Sequence, residues 1–262
     1  MCLMKTKTIK EIEKELSRLT SLEALQQHTH YHDPRKGVQK AFERRQKMIK
    51  KNESLRLNYE KMCLYENDIL ALDADALICG IDEVGRGPLA GPVVASAVVL
   101  ETNHQHLGIN DSKKLGKQAR AQLNETLKSQ VRAWAIGEAS PQEIDEVNIY
   151  EATKLAMYRA IENLNIEPTH YLIDAMHLEH LQKPQQSIIK GDATSVSIAA
   201  ASIIAKEYRD ALMIEYDSQF PQYDFKNNAG YGTKKHLEGL KQYGVTPIHR
   251  QSFEPIKSHF SL

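Results

Sequence analysis

One stretch constrains this chain more than any other: Leu77-Ile-Cys-Gly-Ile-Asp-Glu-Val-Gly-Arg-Gly-Pro-Leu-Ala-Gly-Pro92. A short apolar run ends on two adjacent carboxylates, Asp82 and Glu83, at a turn dense in glycine and proline. Residues 76–82 read as a strand. Residues 93–100 read as a second, apolar on both faces and so buried on both. The short link between them predicts an antiparallel pair. Two neighbouring anions repel unless a cation sits between them, and a divalent metal is the usual solution. Gly85-Arg86-Gly87 can offer bare amides and a guanidinium to an anion. The segment therefore suggests a metal site beside a phosphate or sugar site.

Composition narrows the setting. Lys+Arg and Asp+Glu are equal at 34 each, so a polyanionic partner must be met by local patches. With 262 residues and 41% apolar content, one large domain with an appendage is expected. No apolar run approaches a membrane span, and the early polar residues do not read as a secretory leader. Cys2, Cys63 and Cys79 form no CxxC pair, which fits a reducing cytoplasm and argues against a thiolate zinc site.

Residues 1–75 read as a separate helical extension with a single glycine and a single proline. Ile9, Ile12, Leu16 and Leu19 predict a helix over 6–20. Val38, Phe42 and Ile49 predict a second over about 37–65. Residues 35–51 carry Arg35, Lys36, Lys40, Arg44, Arg45, Lys47, Lys50 and Lys51 against one acid, Glu43. That run is either a solvated face or an accessory surface for a phosphate backbone. His28, His30 and His32 lack the spacing and the fourth ligand of a zinc site.

From residue 76 strand and helix signals alternate, which predicts an α/β domain over 76–218. A third strand is expected over 131–138, with Trp134 in the core. Ser140-Pro141-Gln142-Glu143 is a capping box with proline at the first helical position. A helix follows over about 148–164, and His170–Asp174 is a short strand ending on an acid. Residues 195–218 predict a central helix. Residues 219–262 read as short helices and loops.

Four acids fall at element ends: Asp82, Glu83, Asp174 and Asp192. Strand ends on one edge of an α/β sheet converge where ligands usually bind. Four hard oxygen donors suit Mg²⁺ or Mn²⁺, and two such ions are a known solution for in-line phosphodiester cleavage. Asp210 is a rival fourth ligand, but an i,i+4 pair with Lys206 accounts for it. Adjacent strand residues point to opposite faces, so a bend or bridging geometry must reconcile Asp82 with Glu83.

Taken together, these residues resemble ribonuclease HII, the type 2 ribonucleases H. The matching stretches are Gly80-Ile-Asp-Glu-Val-Gly-Arg-Gly-Pro-Leu-Ala-Gly, Asn110-Asp-Ser-Lys-Lys-Leu, Leu172-Ile-Asp-Ala, Lys190-Gly-Asp, Ser197-Ile-Ala-Ala-Ala-Ser-Ile-Ile-Ala-Lys, Gly230-Tyr-Gly-Thr and His249-Arg. The resemblance implies a ribonuclease H-like mixed sheet flanked by helices, with a small helical C-terminal part and an N-terminal extension like that of some bacterial members. It implies a metal-dependent endonuclease that cuts the RNA strand of RNA/DNA hybrids. It also implies cutting 5′ to single ribonucleotides in duplex DNA, leaving a 3′-hydroxyl and a 5′-phosphate.

The family's four metal-binding acids fall on Asp82, Glu83, Asp174 and Asp192. Gly85, Arg86 and Gly87 fall on the reader of the 2′-hydroxyl, and Tyr231 on a tyrosine that stacks on the neighbouring deoxyribose. Lys113, Lys114, Lys190 and Arg250 are expected to meet phosphates. A monomer is implied, and no clamp-binding peptide is evident at the C-terminus. The related type 3 enzymes carry Gly-Asn-Gly in place of Gly85-Arg86-Gly87. Thr194, Glu207-Tyr208 and Gln251 depart from the family's usual Lys, Val-Thr and Arg.

Overall fold

The computed structural model describes residues 7–260. They separate into two compact units, divided between Glu60 and Lys61. The first unit is helical: α1 (Ile9–Leu16), α2 (Leu22–Gln26) and most of α3 (Lys36–Met62). Thr8 opens α1 with a capping box, its hydroxyl accepting from the Glu11 amide while the Glu11 carboxylate accepts from the Thr8 amide. The expected inward residues Ile12, Leu16, Val38, Phe42 and Ile49 form one buried cluster. In the basic run, Arg35 pairs with Asp33 and donates to the Lys7 carbonyl, and Arg45 donates to the Leu19 carbonyl. Lys40, Arg44, Lys47 and Lys51 stay exposed on one side of α3.

The second unit starts with α4 (Leu64–Leu72) and carries a five-stranded mixed sheet. Its strands are β1 (Ile78–Val84), β2 (Val93–Val99), β3 (Ala133–Ala139), β4 (His170–Asp174) and β5 (Gln185–Ile188). Their order is β3-β2-β1-β4-β5. β1 pairs antiparallel with β2, as the short Pro88–Pro92 link predicts, and parallel with β4. β5, parallel to β4, went unpredicted: Gln-Gln-Ser-Ile has neither alternation nor an apolar run.

Helices cover both faces. α5 (Lys117–Gln130) precedes β3. α6 (Pro141–Glu162) packs on β2 and β3, and α8 (Val196–Gln219) packs on β1 and β2. Cys79 and Ile81 join the core beneath α6. Gly80, between them, faces α8 so closely that a Cβ there would lie 2.1 Å from the Ser197 carbonyl carbon. The predicted capping box at Ser140 opens α6 with Pro141. Asn148, at φ 72°, breaks that helix and caps its second half by accepting from the amides of Tyr150 and Glu151. This is why the earlier half and the expected helix over 148–164 form one bent element.

The short α7 (Gly191–Thr194), α9 (Phe225–Asn228), α10 (Lys234–Tyr243) and α11 (Ile256–His259) complete the unit. Tyr223, Phe225, Leu240, Ile248 and Ile256 bury a second cluster against Leu89, Ala90 and Met213. Trp134 corrects one expectation. It is not in the core but 37% exposed, on an outward position of β3 with the Lys128 ammonium 4.8 Å from the ring.

The close approach at Gly80 sets the seat of α8. We expect Gly80→Ala to destabilise the protein by at least about 2 kcal/mol, because backbone cannot yield as a side chain can. An unchanged denaturant midpoint would show that α8 does not rest on β1 in this way.

Candidate active site

The register of two parallel strands builds the site. Ile81 lies beside Ile173, so Asp82 and Asp174 follow one residue later at the same edge. Alternation puts both on the face that carries α8, where Leu172 and Ile198 are buried together. Glu83 starts from the opposite face. β1 nevertheless stays paired through Val84, so no bend separates the two acids. Asp82 turns along the strand, its Oδ1 accepting from the Glu83 amide at 2.8 Å. Oxygens of Asp82, Glu83 and Asp174 then lie within 4.8 Å of one another at the ends of β1 and β4.

The three acids are held there at an electrostatic cost. Burial pushes the Asp82 carboxyl well above its usual range, and the charges of Glu83 and Asp174 add to the effect. Burial likewise raises Glu83, against the pull of Arg86, and raises Asp174, against the Gly191 amide and Lys113. The Arg86 guanidinium is 3.4 Å from Glu83 Oε1, whereas Oε2 is buried without a partner. Clustered, desolvated carboxylates with an orphaned oxygen and no sulfur or imidazole among them fit a hard divalent cation.

Asp192 stands beside this trio, not within it. It lies in the first turn of α7, entered through Lys190 in the left-handed conformation at φ 59°. The Gly191 amide donates to Asp174 Oδ1 at 2.6 Å, which ties this turn to β4. The Asp192 carboxyl is raised first by burial and then by the charges of Asp111 and Asp174. Asp111 is thus a fifth acid at the site. It lies inside the Asn110-Asp-Ser-Lys-Lys-Leu stretch, where its proximity to Asp192 has no local sequence signal. Asp210 is a structural residue, as expected, accepting from Lys206 at 2.6 Å and from Arg120 at 3.2 Å.

The loop that carries Lys113 and Lys114 is anchored from below. Ser112 and Ser202 share a buried hydroxyl hydrogen bond at 2.9 Å, and the Ser202 hydroxyl pulls the Asp82 carboxyl down against the effect of burial. Arg120 donates to the Ser112 carbonyl and to Glu207, one of the two unusual residues of α8. The other, Tyr208, donates to Glu138. Lys113, Lys114 and Lys190 are exposed at the rim.

Gly85, at φ +90°, turns the chain into the Arg86-Gly87 bend. The exposed ring of Tyr231 stands beside that bend, 3.4 Å from where a Cβ on Gly87 would sit. Arg250, expected to meet a phosphate, is instead fully buried. It donates to the carbonyls of Gly85, Arg86 and Gly91, so it supports the bend and does not face substrate. Arg209, also buried, donates to Ala90, Pro92 and Ala229. Sequence alone does not distinguish these two from surface arginines, because their partners lie up to 165 positions away.

Comparison with known proteins follows the same outline. The profile of the family described as Ribonuclease HII matches residues 79–256, and that of the Ribonuclease HII N-terminal domain matches residues 8–70. Ribonuclease HII of Staphylococcus epidermidis is 59% identical over 251 residues, covering 96% of this chain and 98% of that one. Ribonuclease HII of Staphylococcus saprophyticus is 55% identical over 253 residues, covering 97% and 98%. The crystal structure of ribonuclease H2 from Pyrococcus horikoshii superposes with a TM-score of 0.61 at 25% identity, covering 69% of this chain and 95% of that one.

Acids whose carboxyls are raised in the folded state stabilise it at low pH, and that contribution is lost as pH climbs through the raised values. Near neutral pH the trio is therefore a liability that a divalent cation relieves. We expect Mg²⁺ or Mn²⁺ to raise the wild-type melting temperature. We expect Asp82→Asn to raise the metal-free value by about 2–4 °C, the shift for roughly 1 kcal/mol in a chain of this size, and to blunt the response to the ions. A variant that melts lower without metal and still responds fully would contradict the assignment.

Proposed function

The chain belongs to the ribonuclease HII family, and from that premise we propose how its own residues act as a metal-dependent endoribonuclease on RNA/DNA hybrids. The supporting observation is the convergence of Asp82, Glu83 and Asp174 beside the Gly85-Arg86-Gly87 bend. In this reading Asp82, Glu83 and Asp174, with Asp192 at their side, would hold two Mg²⁺ or Mn²⁺ ions. When bound, such ions ready a water and stabilise the leaving oxygen of an in-line displacement. The water oxygen bonds to phosphorus, the bond from phosphorus to the 3′-oxygen breaks, and that oxygen leaves with a proton. The products are a 3′-hydroxyl and a 5′-phosphate.

The remaining residues choose where the cut falls. The Gly85-Arg86-Gly87 bend reads the 2′-hydroxyl, the group that separates RNA from DNA, through backbone that only glycine lets come close. Tyr231, exposed beside Gly87, stacks on the sugar of the adjoining nucleotide. An aromatic face there accepts a deoxyribose and crowds a ribose, so the enzyme also cuts 5′ to a single ribonucleotide in duplex DNA. Lys113, Lys114 and Lys190 meet phosphates and set the register of the duplex. The exposed face of Lys40, Arg44, Lys47 and Lys51 adds nonspecific backbone affinity.

Cleavage mapping on a DNA duplex with one internal ribonucleotide tests this directly. We expect one cut on the 5′ side of the ribonucleotide, dependent on added divalent ion. We expect Asp82→Asn to lower the rate about 1,000-fold or more while binding persists, since several kcal/mol of charge stabilisation are removed. Tyr231→Ala should reduce cutting at the single ribonucleotide more than cutting of a uniform hybrid; equal losses would remove the stacking role. Replacing Lys40, Arg44, Lys47 and Lys51 together by Gln should raise the dissociation constant and flatten its salt dependence, by about 0.9 in log–log slope for each phosphate that is no longer neutralised. No change in either would leave that face a solvated helix surface.

A further inference from the structure

Two consecutive residues, His249 and Arg250, reach toward the two segments assigned above to reading the substrate. The backbone of 248–250 lies along 89–91. Gly91 donates to the Ile248 carbonyl at 2.8 Å, Arg250 donates to the Leu89 carbonyl at 2.9 Å, and Ala90 bridges to His249. Leu89 in turn donates to the Gly230 carbonyl, next to Tyr231. From this seam the Arg250 side chain runs under the bend, with Nη2 2.5 Å from the Gly85 carbonyl and Nη1 2.9 Å from the Arg86 carbonyl.

His249 runs the other way. It is 2% exposed, and its Nδ1 lies 2.9 Å from the Thr246 amide. An amide nitrogen can only donate, so Nδ1 is the bare nitrogen and the ring proton sits on Nε2. That proton points at His236 Nε2, 2.9 Å away. His236 Nδ1 lies 3.0 Å from the Tyr231 carbonyl, which can only accept, so His236 carries its own proton on Nδ1. The proton positions along Thr246–His249–His236–Tyr231 are therefore determined. Each ring nitrogen has a partner, and the series works only with both histidines neutral. The Tyr231 carbonyl also accepts from the Thr233 amide, so the histidine orients a carbonyl already engaged on one side.

We propose that His249 and Arg250 are positioning residues that fix the separation between the Gly85-Arg86-Gly87 bend and Tyr231, and so set the preference for a ribose–deoxyribose junction over a uniform hybrid. The proposal rests on the reading of those two segments given above. It assigns neither residue to substrate contact. A bend that reads a 2′-hydroxyl and a ring that tests the next sugar discriminate a junction only if their spacing is held, since reading geometry tolerates little slack.

Pairs of variants separate positioning from packing. His249→Gln extends an amide to about the place of Nε2 and can still donate to His236. His249→Asn is one bond shorter and cannot. Both lose the ring that packs on Tyr223 and Phe225. Arg250→Lys keeps the charge and loses the fork. The readout is kcat/KM on a DNA duplex with one ribonucleotide divided by kcat/KM on a uniform RNA/DNA hybrid, with melting temperatures recorded for each protein. We expect this ratio to fall about fivefold or more for His249→Asn and Arg250→Lys, the effect of one well-placed hydrogen bond, and to stay near wild type for His249→Gln. Ratios equal to wild type in folded Asn and Lys variants, or equal falls in the Asn and Gln variants that track melting temperature, would overturn the proposal. A wild type that does not cut at the single ribonucleotide would overturn the reading beneath it as well, which distinguishes the two failures.

Discussion

Three carboxylates crowded at the ends of two parallel strands are the constraint around which the catalytic unit is arranged. The pairing of Ile81 with Ile173 brings Asp82 and Asp174 to one edge, and the seat of α8 on Gly80 fixes the face they occupy. Burial raises all three carboxyls, neighbouring acids add to it at each, and Arg86, 3.4 Å from Glu83, offsets it only at Glu83 and Asp174. A fold does not gather buried like charges for its own stability. It holds them in register for a partner of opposite sign, and the sheet supplies the rigidity that a loop could not.

Around that centre, buried cations and hydroxyls act on backbone. Arg209 and Arg250 bind carbonyls of the 85–92 segment, and Ser112 and Ser202 join the lysine-bearing loop to Asp82. Arg120 extends that support by donating to Glu207 of α8. The half-buried Arg86 and the exposed Lys113, Lys114 and Tyr231 at the rim therefore sit on segments whose main chain is pinned from inside. Breaking these buried bonds would loosen the site without touching any residue that faces solvent.

Much of this was legible in the chain because the signals were local. The antiparallel β1–β2 pair followed from a short link, the start of α6 from a capping box, and Asp174 from an apolar run ending on an acid. What escaped was long-range or lacked a periodic signature. β5 is a polar edge strand, and Trp134 lies on an outward position of β3. Arg250 sits in a motif that reads as phosphate-binding, yet its donors are engaged by carbonyls far away in sequence. Asp111 adjoins Asp192 only through tertiary folding. The expected quartet of acids is a compact trio with Asp192 alongside, because α7 places Asp192 in a turn beyond the strand end.

The proposed chemistry requires Asp82, Glu83 and Asp174 to form one seat for hard divalent cations. Anomalous diffraction from crystals soaked in Mn²⁺ measures this most directly. We expect a manganese peak bound by oxygens of all three residues, on the Arg86 side of the sheet edge. A crystal saturated with Mn²⁺ that places the metal elsewhere, with any of the three carboxylates directed away, would contradict it.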